Sequence, residues 1–515
     1  MPDTSVTRRA GALVRLLGAL AIVAVAGGCV ASSSATASPT AVASKPSEPS
    51  QPSPSIRGDG DLRLDDCSYG GAPARCGTFR VPEDRSKAHG RRIDLRVVIV
   101  PAGSPDRAEE PLFFLSGGPG GAATEDFPWA VDVFGSLHRT RDFVMLDQRG
   151  TGGADRLVCP TDPPELGADD PETATRLAKA WVDECLAALD ADLRFYGTDT
   201  FVDDVDDLRA ALGYESIDLW GGSYGATAAQ YYLLEYEAHV RTVTLSGPTL
   251  LGTHLIEYWP QTRDRALRGL FDACRADAAC ATAFPDVESE FDALVDRLAA
   301  RPVTSRVFGP DARPIDVDRA TLHDVTAALL LDRRSAAALP RLIHTAALGD
   351  VDPLARAWTD VASAATDGAL AMRGPIMCSE DWARSDPAIV ADNATGTPFA
   401  TEELEAAQAH AFGCRFTPRI EVGEEYATRI RSDVPVLLLI GELDPQDPAQ
   451  MSATAGRDLP NSLRVVFPGE GHSFVDTACA PGITRQFVER GTTIGVDTSC
   501  TESLVLPPFE VGLLK

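Results

Sequence analysis

One serine in this chain sits where a hydroxyl can become a nucleophile. Ser223 lies in Gly221-Gly222-Ser223-Tyr224-Gly225, a match to G-x-S-x-G. The apolar run before it (SIDLW) reads as a strand, and residues 224–237 read as a helix. A strand-to-helix turn this tight needs small residues around the serine, and it exposes the hydroxyl at a helix N-terminus. A serine hydroxyl stays a poor nucleophile until a base takes its proton. Of the 8 histidines, His472 stands apart: it follows the strand-like run LRVVF in the Gly-rich loop Pro468-Gly469-Glu470-Gly471-His472-Ser473. An imidazole in that role needs a carboxylate to fix its tautomer and stabilise its charge. Asp444 is placed alike, after VPVLLLI in Gly441-Glu442-Leu443-Asp444-Pro445, with Asp447 and Glu442 as competitors. Acyl transfer also needs N–H donors for the developing oxyanion. The N–H of Tyr224 is one, and Gly118, in the run Ser116-Gly117-Gly118-Pro119-Gly120-Gly121, is the choice for the second. No Lys-Ser/Thr follows that run, as it would in a phosphate-binding loop, and neither CxxC nor HExxH occurs. The chemistry expected is acyl transfer through a covalent intermediate, with no cofactor and no metal.

These residues need a scaffold that brings distant loops together. Short apolar runs at residues 93–100 (IDLRVVIV), 111–115 (PLFFL), 143–146 (FVML), 217–220, 240–245, 434–440 and 463–467 read as strands. Between them, residues 201–212 place Phe201, Val202, Val205, Leu208 and Leu212 on one helical face, and residues 483–490 read as a last helix. Fully apolar short strands alternating with helices imply an α/β fold with a mostly parallel sheet covered on both faces. From residue 249 to 431 the pattern turns to helical segments with few strand-like runs, as in a helical cap inserted into the sheet domain. The expected organisation is a core at 61–248, a cap at 249–431 and a second core part at 432–515.

The start of the chain reads as an address. Arg8, Arg9 and Arg15 precede an apolar stretch at residues 16–26, too short to span a bilayer, and Gly27-Gly28-Cys29 follows. Residues 1–28 are expected to be a signal peptide, and Cys29, in a lipoprotein-like box, to carry a lipid anchor on the outer face of the cell membrane; cleavage by ordinary signal peptidase with secretion is the alternative. Residues 29–60, rich in Ser, Pro and Ala, cannot bury a core and read as a disordered tether. There are 11 Cys, and setting Cys29 aside leaves an even number, as an oxidised exported protein would have. Pairing near neighbours gives Cys67 with Cys76, Cys159 with Cys185, Cys274 with Cys280, Cys378 with Cys414, and Cys479 with Cys500. A net charge of −28 argues against a nucleic-acid surface, whose footprint is basic.

The set SGGPGG, MLDQRGTGG, WGGSYGA, LIGELDP and PGEGHS resembles the proline-iminopeptidase-like serine peptidases, peptidase family S33 of the α/β-hydrolases. It is most similar to their secreted tripeptidyl-aminopeptidase-like branch, which includes the mycobacterial carboxylesterase A lipoprotein proteases. The family usually has His where Ser116 stands. The resemblance implies hydrolysis of peptides from a free N-terminus, with acidic cap residues holding the α-ammonium. Met377-Cys378-Ser379-Glu380-Asp381-Trp382 resembles the family's Cys-containing acidic segment, which makes Glu380 the candidate amine anchor. The same triad would serve a carboxylesterase, and a non-catalytic surface binding protein on this scaffold is the third reading.

Overall fold

The computed structural model describes residues 61–512 except 88, 154–155, 162–170, 310–312, 366–369, 448 and 474–477. The expected signal peptide, Cys29 and the expected tether lie outside the described residues. Eleven strands form in chain order: β1 (Leu62–Tyr69), β2 (Ala72–Pro82), β3 (Arg92–Val100), β4 (Leu112–Leu115), β5 (Phe143–Leu146), β6 (Ile217–Gly222), β7 (Val240–Ser246), β8 (Val303–Phe308), β9 (Pro314–Val317), β10 (Val436–Gly441) and β11 (Ser462–Phe467). Nine of them make one sheet in the order β1-β2-β3-β5-β4-β6-β7-β10-β11. β1, β2, β3 and β5 pair antiparallel in succession. From β5 onward every pairing is parallel.

The apolar strands split their side chains between two cores, as a period of two requires. Phe113, Leu115, Val144, Leu146, Leu219 and Leu438 face one core, packed by the helices Thr198–Leu212 and Tyr224–Glu235. Leu112, Phe114, Phe143, Met145, Trp220 and Leu437 face the other, closed by the helix Cys479–Arg490. Helices on both faces explain why these runs read as unbroken apolar sequence. β1 and β2 follow no such run. They are largely half-buried or exposed, at and next to the edge of the sheet, and mix polar with apolar residues, a fainter signal.

Between β7 and β10 the chain is mainly helical and has its own core, including Leu267, Phe271, Phe291, Leu322, Leu342 and Leu354. It also contains the antiparallel pair β8–β9, which the helical reading of this stretch did not anticipate. All five disulfides join the near-neighbour pairs expected: Cys67–Cys76, Cys159–Cys185, Cys274–Cys280, Cys378–Cys414 and Cys479–Cys500.

Candidate active site

The parallel strands carry the candidate residues at their C-terminal ends. Ser223 directly follows β6 and caps the helix Tyr224–Glu235. Among the described residues it is the one non-glycine with positive φ, at 54°. Such a conformation costs about 1–3 kcal/mol and persists only where the surroundings enforce it. They do so here: the Ser223 N–H donates to the Ser246 carbonyl at 2.8 Å. The flanking glycines are demanded by contact, since a Cβ on Gly221 would stand 2.2 Å from the Gly225 carbonyl oxygen and one on Gly225 2.0 Å from that of Leu115. The G-x-S-x-G pattern is therefore the sequence trace of backbone approaching backbone.

Asp444 follows β10 and His472 follows β11. Both are buried, at 0% and 5% exposure. His472 Nδ1 and Asp444 Oδ2 are 2.8 Å apart. The other Asp444 oxygen accepts from the backbone N–H groups of Gln446 and Asp447 at 2.8 and 2.9 Å. Those two bonds fix the carboxylate before the imidazole arrives. Burial opposes the charged imidazole, but Asp444, with Asp447 behind it, outweighs burial and pushes the His472 pKa up to about 9. Of the competitors, Asp447 lies 3.8 Å from Nδ1. Its Oδ1 accepts from the Thr249 hydroxyl at 2.5 Å. Burial first, then Asp444, raises its pKa to about 7. Glu442 is exposed and accepts from the Gly469 N–H at 2.9 Å, holding the histidine loop instead.

The imidazole rests on the end of β7, between the strands that carry Ser223 and Asp444. A Cβ on Gly247 would stand 2.9 Å from His472 Cε1. Its Nε2 is buried and has no hydrogen-bond partner among the described residues, so the Ser223–His472 bond is open in this conformation. Such bonds often tighten only when substrate is bound. The helical insertion helps set the loop: the Ser473 N–H donates to the Leu331 carbonyl at 2.8 Å.

The Gly-rich loop after β4 lies against the serine. A Cβ on Gly117 would come within 3.1 Å of Ser223 Cβ, and Gly118, with φ 119°, lines the cleft beside Ser223 and Tyr224. The Tyr224 N–H heads its helix, where first-turn N–H groups have no intrahelical acceptor. The Ser116 hydroxyl donates to Asp126, on the short helix Ala123–Asp126 that follows the loop. The motif Asp147-Gln148-Arg149 works from behind. Arg149, fully buried, grips the Asp204 carboxylate at 2.5 and 2.8 Å and three backbone carbonyls besides, tying the end of β5 to the helix Thr198–Leu212. Gln148 donates to the Tyr224 hydroxyl at 2.8 Å.

A cleft opens above Ser223, walled on its far side by the helical insertion. Glu380 and Asp381 line it, from the turn Met377–Asp381 that follows the helix Leu370–Ile376. The Cys378–Cys414 disulfide anchors that turn. Glu380 accepts from the Thr198 N–H at 3.0 Å and the Thr198 hydroxyl at 2.7 Å. Burial still lifts its pKa to about 7. Asp381 Oδ1 accepts from the Leu255 N–H at 3.2 Å and faces His254 at 3.4 Å, while its Oδ2 is buried and without a partner among the described residues. Sequence reasoning placed Glu380 here but did not see Arg373, which also lines the cleft, or Asp447 as a second carboxylate on His472. Asp447 stood in the sequence only as a competitor of Asp444, and nothing in the local pattern around Arg373 marks it. Among the described residues, the one histidine–carboxylate group compact enough to share a cation is Asp444, Asp447 and His472, whose members already bond one another and the backbone.

Residues 110–478 match the family model for the alpha/beta hydrolase fold. The chain is 30% identical over 191 residues to a tripeptidyl aminopeptidase of Streptomyces lividans, a stretch covering 34% of this chain and 35% of that protein. It thus spans about a third of the length of that relative. It is 25% identical over 484 residues to the serine protease Hip1 of Mycobacterium bovis, covering 83% of this chain and 87% of that protein. A solved proline iminopeptidase of Mycobacterium smegmatis aligns over 81% of this chain and 98% of its own at 16% identity and a TM-score of 0.35. The family match covers most of the chain, the sheet has the mixed order described above, and the serine sits on a tight turn at a strand end: the chain belongs to the alpha/beta hydrolase fold family.

Proposed function

We propose that this chain is an exported serine peptidase that hydrolyses peptides near a free N-terminus. The observation that carries the peptidase reading is the pair Glu380 and Asp381 in the wall of the same cleft as Ser223, with Asp381 Oδ2 buried and without a partner among the described residues. A buried carboxylate oxygen with no partner matches an ammonium brought by substrate. The relatives named as an aminopeptidase and a serine protease agree with it.

In the mechanism, His472 Nε2 takes the proton of the Ser223 hydroxyl as its oxygen attacks the scissile carbonyl. Asp444 holds the ring through Nδ1 and stabilises its charge. The N–H groups of Tyr224 and Gly118 receive the oxyanion. His472 then protonates the departing amine, leaving an ester on Ser223, and a water activated by the same imidazole releases the acid. The ammonium of the substrate sits between Glu380 and Asp381, which sets how far the scissile bond lies from the N-terminus. Export rests on residues 1–28, with Cys29 as the membrane anchor.

Hydrolysis of free-amine peptide amides, their N-acetyl counterparts and short-chain esters, measured side by side, tests the reading. Free-amine peptides should be preferred, and Glu380→Gln or Asp381→Asn should shrink that preference. Equal cleavage of blocked and free peptides would replace it with an endopeptidase, and turnover of esters alone with a carboxylesterase. Mature protein should begin at Cys29, and Cys29→Ala should release it from the membrane fraction; an intact Met1 on cell-surface protein would refute cleavage.

A further inference from the structure

Arg373 is a buried cation in the cleft wall with no counter-ion among the described residues. It lies on the helix Leu370–Ile376, is 3% exposed, and lines the cleft with Ser223, Tyr224 and Glu380. Its Nε, Nη1 and Nη2 are all buried without a hydrogen-bond partner. Burial, with no carboxylate beside it to push back, lowers its pKa to about 10. The contrast with Arg149 is direct: that guanidinium is buried for structural reasons, and the fold surrounds it with a bidentate carboxylate and three carbonyls. Arg141, also buried, has Glu110 and Asp218. A buried guanidinium without acceptors is costly, and one carried by a residue of a cleft wall marks a place where a ligand supplies the partner.

The spacing says what kind of ligand. Arg373 and Glu380 are seven positions apart on a continuous helical path, so their backbones are about 10 Å apart along the axis, on one face of it. About three extended residues span that distance. We propose that Arg373 is a carboxylate-binding subsite, pairing with an anionic group carried by a peptide within about three residues of the ammonium held at Glu380 and Asp381. The inference rests on reading this cleft as the substrate site, and it adds a second, opposite charge to the recognition. The carboxylate is either an acidic side chain or the C-terminus of a short peptide, and both present the same planar acceptor to the guanidinium fork.

The test is binding to the full chain carrying Ser223→Ala, by calorimetry. The ligands are free-amine tripeptides with Glu or Gln at the first, second or third position, each as C-terminal acid and carboxamide. Glu should bind about tenfold more tightly than Gln at one position in the carboxamide series. Arg373→Met should abolish the difference, and Arg373→Lys should leave part of it. A preference confined to the C-terminal acid, and lost in Arg373→Met, would identify the terminal carboxylate as the occupant. No discrimination in the Arg373 chain, which needs no second variant to observe, would overturn the inference, as would a preference that survives Arg373→Met. Turnover of the same peptides by the unaltered enzyme separates the two readings. Cleavage without discrimination overturns this subsite alone. Arg373-dependent binding without cleavage of any free-amine peptide overturns the peptidase reading and leaves the subsite standing.

Discussion

The carboxylate of Asp447 lies 3.8 Å from His472 Nδ1, against 2.8 Å for Asp444. The imidazole therefore faces two carboxylates and is bonded to one. The bonded one orients the ring; the second only biases its charge.

That division predicts different kinetic signatures. Asp444→Asn should lower kcat by about 10⁴, because the ring loses its tautomer and orientation. Asp447→Asn should cost far less. In the unaltered enzyme, kcat/KM should rise with pH as His472 loses its proton, with a midpoint above the ordinary 6.5 of a histidine. Both carboxylates favour the protonated ring, so Asp447→Asn should move that midpoint to lower pH. A pH profile of kcat/KM checks it, and a midpoint that stays put or rises would show that Asp447 does not act on the imidazole.

Ser223 should be labelled by a fluorophosphonate, and Ser223→Ala should lose about 10⁴–10⁶ in kcat. The positive φ adds a stability signature. Alanine keeps the strained Cβ and glycine does not, so Ser223→Gly should be the more stable variant by about 1 kcal/mol in denaturant unfolding. A glycine variant less stable than the alanine one would show that the turn is not strained.

On the role proposed for Glu380, KM should have its own pH dependence. Its carboxyl is held up at about 7 by burial, so it becomes an anion only as pH rises through that value. A peptide α-ammonium loses its charge at about 7.7–8.0. KM for free-amine peptides should be lowest between these limits and rise on both sides, while N-acetyl peptides show no such minimum. Glu380→Gln should remove the acidic rise. A KM for free-amine peptides that is flat across pH 6–7 would place the ammonium elsewhere.

Within the helical insertion, a buried network carries its own pH sensitivity. Glu403, 4% exposed, accepts from Arg263 at 2.9 Å, and His323 Nε2 lies 2.9 Å from it. Burial opposes its charge, but Arg263 and His323 prevail and lower its pKa to about 2. A lowered carboxyl contributes stability above its ordinary 4.5, lost as pH falls toward about 2. His323 is buried too, yet its carboxylate neighbours raise it to about 9, so its share is complete below 6.5 and fades as pH rises toward about 9. Glu403→Gln strands a buried Arg and should cost about 3–5 kcal/mol near neutral pH. It should also flatten the pH dependence on both sides. Urea unfolding across pH 3–9 measures this, and a variant with an unchanged pH profile would refute the network.

The sequence by itself determined the elements whose causes are local. The unbroken apolar runs of β4, β5 and β10 announce strands buried on both faces, and the glycines around Ser223 announce a turn where backbone meets backbone. Asp444 and His472 were legible because each follows such a strand in a loop rich in turn residues. The disulfides were legible because each closes a short loop, the longest of them 36 residues. β1, β2 and the pair β8–β9 were not, since strands at and next to a sheet edge mix polar with apolar residues and resemble polar loop or helix in composition. The tertiary structure alone placed Asp447 as a second carboxylate 3.8 Å from His472 Nδ1, because both aspartates share one loop and its backbone N–H groups hold Asp444. It alone brought Arg373 to the cleft with its nitrogens unpaired. A charge lacking a partner is a fact about every element packed around it, and no stretch of sequence contains all of them.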